Sequence, residues 1–333
     1  MPSALRLSLA CWDYDRTRAL REGLVGTPGI DLVHLTLPVE ETFFRMLRFR
    51  EFDVAEMSLS SYVLSLFDPD RPFVAIPVFP SRLFRHNGIY VRADGPVREP
   101  ADLVGRVVGV PEYQITAAVW IRGILEDDHG VPVDRVAYRT GGLHDAGRTE
   151  KLGLDLPERI DVRPIPADRT LDGMLVAGDI DALYSARAPA SFRADDPACP
   201  VRRLFADYVA VEADYFRRTG IFPIMHTVVI RRDVYEANRW IARSLLDAFA
   251  EAKARTYADL AEVTALKTSL PWGLAALEDT VRLMGADYWP YGLEANRTTL
   301  DTFLRYSHGQ GLARGRLAPE DLFAPETLAE TLV

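Results

Sequence analysis

Cysteine is scarce in this sequence, because only Cys11 and Cys199 occur among 333 residues. Two cysteines cannot build a disulfide framework or a zinc ribbon. Such sparing use is typical of proteins from a reducing compartment, so we expect a cytoplasmic protein. With 48% hydrophobic residues, the chain is long enough for two ordinary domains that bury a substantial core.

Long apolar runs are also missing. No run approaches the roughly 18 residues of a membrane span. Residues 1–17 carry a short apolar run that reaches Asp13 almost at once, and this run lacks the apolar length of a signal peptide. These features agree with the expected cytoplasmic location and give no reason to expect a membrane partner.

Basic residues are outnumbered, and no polybasic run stands out. The chain has 48 acidic and 39 basic residues, which gives a net charge of −9. This charge pattern argues against a nucleic-acid partner. It would also repel an anionic ligand at long range, so any anion must be recognised locally by particular arginines, because screening removes interactions beyond about 10 Å.

Three familiar catalytic patterns are absent as well. The sequence has no glycine-rich phosphate loop, no serine nucleophile elbow and no cysteine-based motif. The pair Gly141 and Gly142 precedes no helical dinucleotide-binding pattern. These absences argue against nucleotide binding and against serine or cysteine nucleophiles.

What the sequence does contain is an alternation of strands and helices, which predicts a mostly parallel sheet covered by helices. The first series predicts strands at 5–11, 30–35 and 53–58, and helices at 16–24, 38–50 and 59–67. The second predicts strands at 88–91, 106–110, 133–138, 160–165, 180–184 and 201–205, and helices at 100–103, 116–125, 171–176 and 207–218. Residues 140–157 hold four glycines and mixed charge, so we expect an exposed loop.

Two long apolar extended segments separate these series. One runs through residues 78–91 and the other through 220–230, and four helices are predicted afterwards, at 233–257, 258–267, 273–284 and 294–310. This order predicts an α/β protein of two lobes joined by two strands, in which the C-terminal helices pack on lobe 1, and it resembles the type II periplasmic-binding-protein fold. Lobe 1 is residues 1–87 and 228–333, and lobe 2 is 88–227. Ligands in such folds lie at the carboxyl ends of strands, here in the cleft between the lobes.

Three basic side chains lie within the first apolar crossing, namely Arg82, Arg85 and His86. Positive charge is unfavourable in such surroundings unless a negative group meets it. Arginine suits a carboxylate because its planar fork donates two parallel hydrogen bonds. The helix that begins near Thr116 offers free backbone N–H groups to an anion. We therefore expect a small anionic ligand, although each arginine alone could instead pair with an acidic residue of the protein.

His86 and His226 each lie on a crossing segment, so they are the candidate catalytic histidines. With Glu112 they could supply a general acid and a general base. They could also form a two-histidine, one-carboxylate metal site. The spacing of the three residues carries no metal signature, so we expect no cofactor while leaving room for a divalent metal. A lone histidine is more often a hydrogen-bonded structural residue.

Loops at predicted strand ends should face the same cleft and contact the ligand. Trp12, Tyr113 and Trp272 could stack on a planar ligand, although aromatic residues mostly serve as core. With the two arginines, the candidate substrate-binding residues are Trp12, Ser58, Arg82, Arg85, Tyr113, Gln114, Thr116, Arg187 and Trp272.

Four segments carry a family resemblance: FPSRLFRHNGIYV, GVPEYQITAAVWIRGIL, GIFPIMHTVVIR and GADYWPYGLEANRTTLDTFLRYSHGQGL. They resemble the 4,5-dihydroxyphthalate decarboxylase family over nearly the whole chain. The resemblance implies a cytoplasmic enzyme on a solute-receptor fold, with an aromatic dihydroxy-dicarboxylate as its substrate. It does not fix which aromatic acid is used, because relatives with one fold can act on different substrates.

For that chemistry the residues suggest a division of roles. Arg82 and Arg85 would grip the retained carboxylate, Glu112 or His226 would polarise the phenol, and His86 would deliver a proton to the ring carbon. One alternative is a solute-binding protein for a small aromatic carboxylate, without catalysis. Another is a pyrimidine- or thiamine-precursor enzyme on the same fold, whose cysteine-rich motif is missing here. Enzymes of this size are commonly symmetric assemblies, so a homo-oligomer fits but is not specified.

Overall fold

A computed structural model describes residues 4–196 and 198–329 of the chain. The strands are β1 Leu5–Ala10, β2 Ile30–Leu35, β3 Val54–Ser58, β4 Phe73–Arg82, β5 Ile89–Arg92, β6 Val107–Val110, β7 Ala137–Thr140, β8 Val162–Pro164, β9 Ala182–Tyr184, β10 Val201–Arg203 and β11 Ile224–Arg231. The α-helices are α1 Asp15–Arg21, α2 Val39–Phe49, α3 Leu59–Ser65, α4 Thr116–His129, α5 Leu171–Ala177, α6 Tyr208–Thr219, α7 Arg232–Ala237, α8 Ile241–Leu260, α9 Gly273–Met284 and α10 Arg297–Gly309.

The chain forms two compact units. The first comprises the described residues of Met1–Arg82, Ile224–Asp301 and Leu317–Val333, and the second comprises Leu83–Pro223 and Thr302–Arg316. Residues 302–316, which the sequence placed with lobe 1, therefore group with the second unit. The reason is local packing, because Phe303 and Tyr306 of α10 stack against Trp120 of α4.

The first unit is built on a five-stranded sheet in the order β2-β1-β3-β11-β4. Strands β2, β1 and β3 run parallel, whereas β11 is antiparallel to both of its neighbours. Every residue of β3 is buried, as expected for a strand inside a sheet covered on both faces. The apolar stripes of α1 and α8 pack together on this sheet and supply Leu20, Leu245 and Phe249 to its core.

The second unit contains a six-stranded sheet in the order β10-β5-β9-β6-β7-β8. Strands β9, β6, β7 and β8 are parallel, and the edge pair β10 and β5 is antiparallel. Helix α4 buries its first ten residues, Thr116 through Leu125, which explains their nearly continuous apolar character. Gly123 permits the close approach of α10, since a Cβ atom there would lie 2.2 Å from the Tyr306 ring.

Three details of the sequence prediction are wrong. The strand predicted at 133–138 is a 3-10 turn at Val133–Arg135 followed by β7, because Pro132 precedes a tight turn rather than a ladder. The helix predicted at 233–257 is interrupted at Asn238, whose non-helical backbone (φ −147°, ψ 57°) ends α7. The helix predicted at 258–267 does not form, because α8 ends at Leu260 and the exposed segment that follows has no apolar stripe to bury.

Within residues 4–196 and 198–329, no helix combines the length and the apolar character that crossing a membrane requires.

Candidate functional site

The candidate site residues are divided between the two units. The first unit contains Trp12, Ser58, Arg82, His226 and Trp272, and the second contains Arg85, His86, Glu112, Tyr113, Gln114, Thr116 and Arg187. Each group is described by its own surroundings.

The first group centres on Glu56, a carboxylate in the middle of the apolar strand β3. Its side chain is fully buried. Because β1 runs parallel to β3, the chain that leaves β1 passes the Glu56 side chain. There the Trp12 N–H donates to Oε2 at 3.1 Å, and the Cys11 Sγ lies 3.7 Å from the same oxygen. The fold thus places backbone and side-chain donors around a buried acid.

The other Glu56 oxygen is bound by two side chains. The Tyr14 hydroxyl donates to Oε1 at 2.6 Å, and Nδ1 of His226 lies 2.6 Å from that same oxygen. Burial alone would raise the pKa of Glu56, but the hydrogen bond and charge of His226, followed by the Tyr14 hydroxyl and the Trp12 N–H, hold it below its ordinary value. Glu56 is therefore an ionised carboxylate.

His226 is oriented by its strand as well as by Glu56. It lies on β11 opposite Ser58 of β3, and its ring meets the Phe43 ring edge-on at a centroid distance of 4.8 Å. Its side chain is 17% exposed, whereas that of Glu56 is inaccessible. A histidine fixed on one side by a carboxylate and reachable on the other has the arrangement of a general acid or base.

A cation lies beside Tyr14. The Arg16 guanidinium is sandwiched between the Tyr14 and Trp289 rings, 4.3 and 4.1 Å from their centroids. Its Nε donates to the Pro80 carbonyl at 2.6 Å, and its Nη1 pairs with Asp15 at 2.9 Å. Such stacking keeps an arginine in place without neutralising it.

Arg82 ends β4 and is buried. Its Nη2 donates to the Pro290 carbonyl at 2.8 Å and to the Asn296 side-chain oxygen. Burial lowers the Arg82 pKa to about 9, with smaller opposing effects from Tyr291 and Asp287. The side chain therefore remains a cation at neutral pH.

Arg85 and His86 lie in the second unit and are also buried. Burial lowers the pKa of Arg85 to about 10, against the opposing charge of Glu212. The His86 ring contacts the Phe205 and Tyr215 rings at centroid distances of 5.4 and 5.3 Å. Neither ring nitrogen of His86 has a hydrogen-bond partner among the described residues. Burial first, then the nearby charge of His129, lowers its pKa to about 4.

Glu112 follows β6 and is fully buried among donors. Arg148 donates to its Oε1 at 2.6 Å, and the Lys151 Nζ lies 3.3 Å from the same atom. The Lys151 N–H and the Gln114 amide donate to Oε2 at 3.1 and 3.0 Å. Glu112 thus ties the glycine-rich loop at 140–157 to the sheet, a structural task that sequence spacing does not reveal.

A second, half-buried carboxyl belongs to this loop. Glu150 accepts the Tyr113 N–H on Oε1 at 2.6 Å. Burial raises the pKa of Glu150 to about 7, which the Tyr113 N–H opposes and the charge of Glu112 reinforces. Tyr113 itself is core: its ring lies 3.8 Å from the Arg122 guanidinium and its hydroxyl donates to the Gln310 carbonyl.

The remaining candidates differ in exposure. Gln114 and Thr116 are buried, the latter as the first residue of α4, and Ser58 is buried as the N-cap of α3. Trp12 and Arg187 are exposed, and Trp272 is 77% exposed in the segment before α9.

The metal alternative concerned His86, Glu112 and His226. Across residues 4–196 and 198–329, no group of three or more His, Cys, Asp or Glu side chains is placed so that it could hold a metal ion.

Sequence reasoning missed Glu56, Tyr14 and Arg16. One signal was available for Glu56: it is the single charged residue inside β3, an otherwise apolar and serine-ended strand. A buried acid in such a strand demands partners. Glu56 contacts His226, which is 170 residues away in sequence, because β11 lies next to β3 in the sheet. The order of strands in a sheet cannot be predicted from local sequence patterns.

Two curated proteins align closely with this chain. The 4,5-dihydroxyphthalate decarboxylase of Comamonas testosteroni is 41% identical over 326 residues, which cover 98% of this chain and 98% of that protein. The 4,5-dihydroxyphthalate decarboxylase of Pseudomonas putida is 42% identical over 213 residues, covering 64% of this chain and 82% of that protein. No protein-family model matches the chain.

Solved structures show the fold. The periplasmic aliphatic sulphonate binding protein of Escherichia coli superposes with a TM-score of 0.53 at 15% identity, covering 98% of this chain and 99% of that one. A putative periplasmic sulfonate-binding protein of Methylobacillus flagellatus gives 0.52 at 12% identity, covering 97% and 93%. The predicted periplasmic-binding-protein-like fold is therefore confirmed. Because the identity to the Comamonas protein extends over practically the entire chain, this protein belongs to the 4,5-dihydroxyphthalate decarboxylase family.

Proposed function

We propose that the protein removes one carboxylate from 4,5-dihydroxyphthalate, giving 3,4-dihydroxybenzoate and CO2. The observation that carries this proposal is the 41% identity to a 4,5-dihydroxyphthalate decarboxylase over 98% of both chains. The enzyme is then a carboxy-lyase of aromatic catabolism, which uses a solute-receptor fold for chemistry.

The reaction replaces a carbon–carbon bond with a carbon–hydrogen bond. Each carboxylate of the substrate is para to one hydroxyl. When a base removes that hydroxyl proton and a proton reaches the ring carbon, the ring becomes dienone-like. The bond to the carboxylate then breaks, its electron pair restores the aromatic ring as a phenolate, CO2 departs, and the phenolate takes back the proton held by the base. The dianionic substrate thus takes up one proton and leaves a monoanionic product.

We propose that His226 is the base that accepts the hydroxyl proton. Its side chain is partly accessible, its ring is held against Phe43, and its Nδ1 is already engaged. A base positioned in this way typically contributes about 10²- to 10⁴-fold in rate.

Proton delivery to the ring carbon was predicted for His86, and its surroundings argue against that role. Burial lowers its pKa to about 4, so its imidazolium is scarce at neutral pH. Glu112 is likewise bound to Arg148 and Lys151. We propose that His86 and Glu112 stabilise the fold of the second unit, and that His226 carries out the proton transfer.

A first prediction concerns the wild-type protein. Purified enzyme incubated with 4,5-dihydroxyphthalate is expected to release one CO2 per 3,4-dihydroxybenzoate formed, as measured by gas analysis and chromatography. In D2O the product should carry one deuterium at the carbon that lost the carboxylate. Phthalate, which lacks both hydroxyls, is the matched control and should be inert. Binding of 4,5-dihydroxyphthalate without CO2 release would refute the proposal.

Arg82 and Arg85 are the proposed carboxylate-binding residues, since both remain cationic although buried. Arg82→Met keeps the volume but removes the charge and the fork. We expect KM to rise about 30- to 160-fold, because a charge-assisted hydrogen bond is worth roughly 2 to 3 kcal/mol. Arg82→Lys should recover only part of this. An unchanged KM in steady-state assays of Arg82→Met would remove Arg82 from the binding role.

The cytoplasmic location and the homo-oligomer stay predictions from the sequence, as do the contacts of the other candidate residues with substrate.

A further inference from the structure

We propose that Glu56 is a positioning residue that holds His226 in the tautomer whose Nε2 is free to accept a proton. The chemical step to which it contributes rests on the proposed function, whereas the tautomer itself does not. Glu56 is not among the site residues expected from the sequence, and the proposal comes from its contacts.

The tautomer follows from counting donors around one carboxylate. Oε1 of Glu56 receives the Tyr14 hydroxyl and faces Nδ1 of His226, both at 2.6 Å. Oε2 receives the Trp12 N–H at 3.1 Å and lies 3.7 Å from the Cys11 thiol. An ionised carboxylate only accepts hydrogen bonds, so Nδ1 must carry the proton. In a neutral imidazole the lone pair is then on Nε2.

The surroundings favour the ionised carboxylate. The Tyr14 hydroxyl has its pKa raised, first by burial and then by the Glu56 charge, so it remains a donor. The same is true of the Cys11 thiol, for which burial is again the larger cause. Two of the four donors are thus kept protonated, first by burial and then by the negative charge that they bind.

The rigid surroundings of His226 keep its ring in one orientation, and this favours the reaction. Glu56 lies in β3, which is hydrogen-bonded to β1 on one side and to β11 on the other. His226 is on β11, and the Phe43 ring meets its ring at 83°. Holding a ring within a narrow range of angles lowers the entropy lost on reaching the reactive geometry. When Nε2 takes a proton, the adjacent carboxylate also stabilises the imidazolium that forms.

The alternative is that Glu56 and His226 form a hydrogen bond that only stabilises the sheet. The two views differ in what a glutamine at position 56 would do. Glutamine has nearly the same shape, but its amide can donate to Nδ1 and so place the proton of His226 on Nε2. A purely structural pair would tolerate this exchange of donor and acceptor with little effect on turnover.

The experiment compares Glu56→Gln with the wild type in two measurements. Long-range ¹⁵N–¹H correlation spectra report which ring nitrogen of His226 is protonated, with His226→Gln identifying its signals. Steady-state assays with 4,5-dihydroxyphthalate report kcat and KM. We expect the wild type to be protonated on Nδ1, and Glu56→Gln to lose about 10²-fold in kcat with KM changed less than about threefold. Glu56→Asp should recover part of the lost kcat.

The matched control is Glu326→Gln. Glu326 also accepts a tyrosine hydroxyl, that of Tyr235, at 2.6 Å in the same unit, but no histidine of the described residues forms a hydrogen bond or ion pair with it. The Glu326→Gln variant should have the wild-type kcat and the wild-type His226 spectrum. A wild-type His226 protonated on Nε2 would overturn the proposal even if Glu56→Gln did not fold, and so would an unchanged kcat in folded Glu56→Gln. Absence of CO2 release by the wild type would instead refute the proposed function and leave the tautomer result standing.

Discussion

Replacing His226 with alanine is expected to lower kcat for 4,5-dihydroxyphthalate by about 10²- to 10⁴-fold, the usual contribution of a general acid or base. The ring is the accessible partner of a buried carboxylate, so its removal deletes the proposed base while Glu56 keeps its bonds to Tyr14 and Trp12. KM should change much less, because the proposed carboxylate-binding residues are untouched. The measurement is steady-state CO2 release by enzyme whose folding has been checked by circular dichroism.

His34→Ala is the matched control for this variant. His34 lies on β2 in the same unit and is half-buried like His226, but its ring nitrogens have no hydrogen-bond partner among the described residues. Activity per folded molecule should stay near the wild-type value. If His226→Ala retained full kcat, His226 would have no part in proton transfer, and Glu56 would lose its proposed role with it.

His86 should make the protein sensitive to acid. The ring is 2% exposed, and burial lowers its pKa from 6.5 to about 4. At a pH between these two pKa values, His86 is protonated in the unfolded chain but not in the folded chain. The free energy of unfolding therefore falls as the pH drops through this window, by about 3 kcal/mol in total. Above pH 6.5 this contribution to instability is absent.

Other groups near His86 act in different directions, so the test must isolate it. The charges of His129 and Arg218 add to the effect of burial, and Asp128 opposes it. Burial raises the pKa of Glu212 and Glu150 to about 7, so these carboxyls favour the folded state as the pH falls below that value. Their contribution is common to the wild type and to a His86 variant and cancels in the difference.

His86→Leu is the variant for this comparison, since leucine suits a site lined by Phe205 and Tyr215. Urea unfolding at about pH 7 and about pH 4 should show that the variant loses about 3 kcal/mol less than the wild type over this interval. His144→Leu, at an exposed position, should behave like the wild type. Equal pH dependence in His86→Leu and wild type would mean that His86 is protonated inside the folded protein.

Local pattern predicted most of the elements because each has a clear period or a clear boundary. Strand β2 matches its predicted bounds, since Pro28 and Gly29 precede a short alternating run. The predictions fail where tertiary packing, and not the local sequence pattern, decides the structure. Residues 261–267 have helix-forming composition, but they are exposed and no helix forms there. Residues 302–316, which include the end of α10, group with the second unit, and no periodicity reveals this.

The site was harder to predict because charge and chemistry are set by distant neighbours. Arg82, His86 and His226 were selected by their position in apolar segments, and all three are largely enclosed. Whether such a group reacts depends on what it meets. His226 meets Glu56 through an antiparallel strand pairing, whereas His86 meets aromatic rings. Glu112 was selected from its loop, and its cationic partners come from a segment 36 to 39 residues later.

The insertion of β11 between β3 and β4 has a consequence for synthesis on the ribosome. Until residue 231 has emerged, the first sheet has an open gap with two unpaired edges, which are prone to aggregation. Both units must wait longer still, because the second needs residues 302–316 and the first includes described residues of Leu317–Val333. Neither half can mature co-translationally as an early product, so a nascent chain truncated before α10 should be a client for chaperones and proteases.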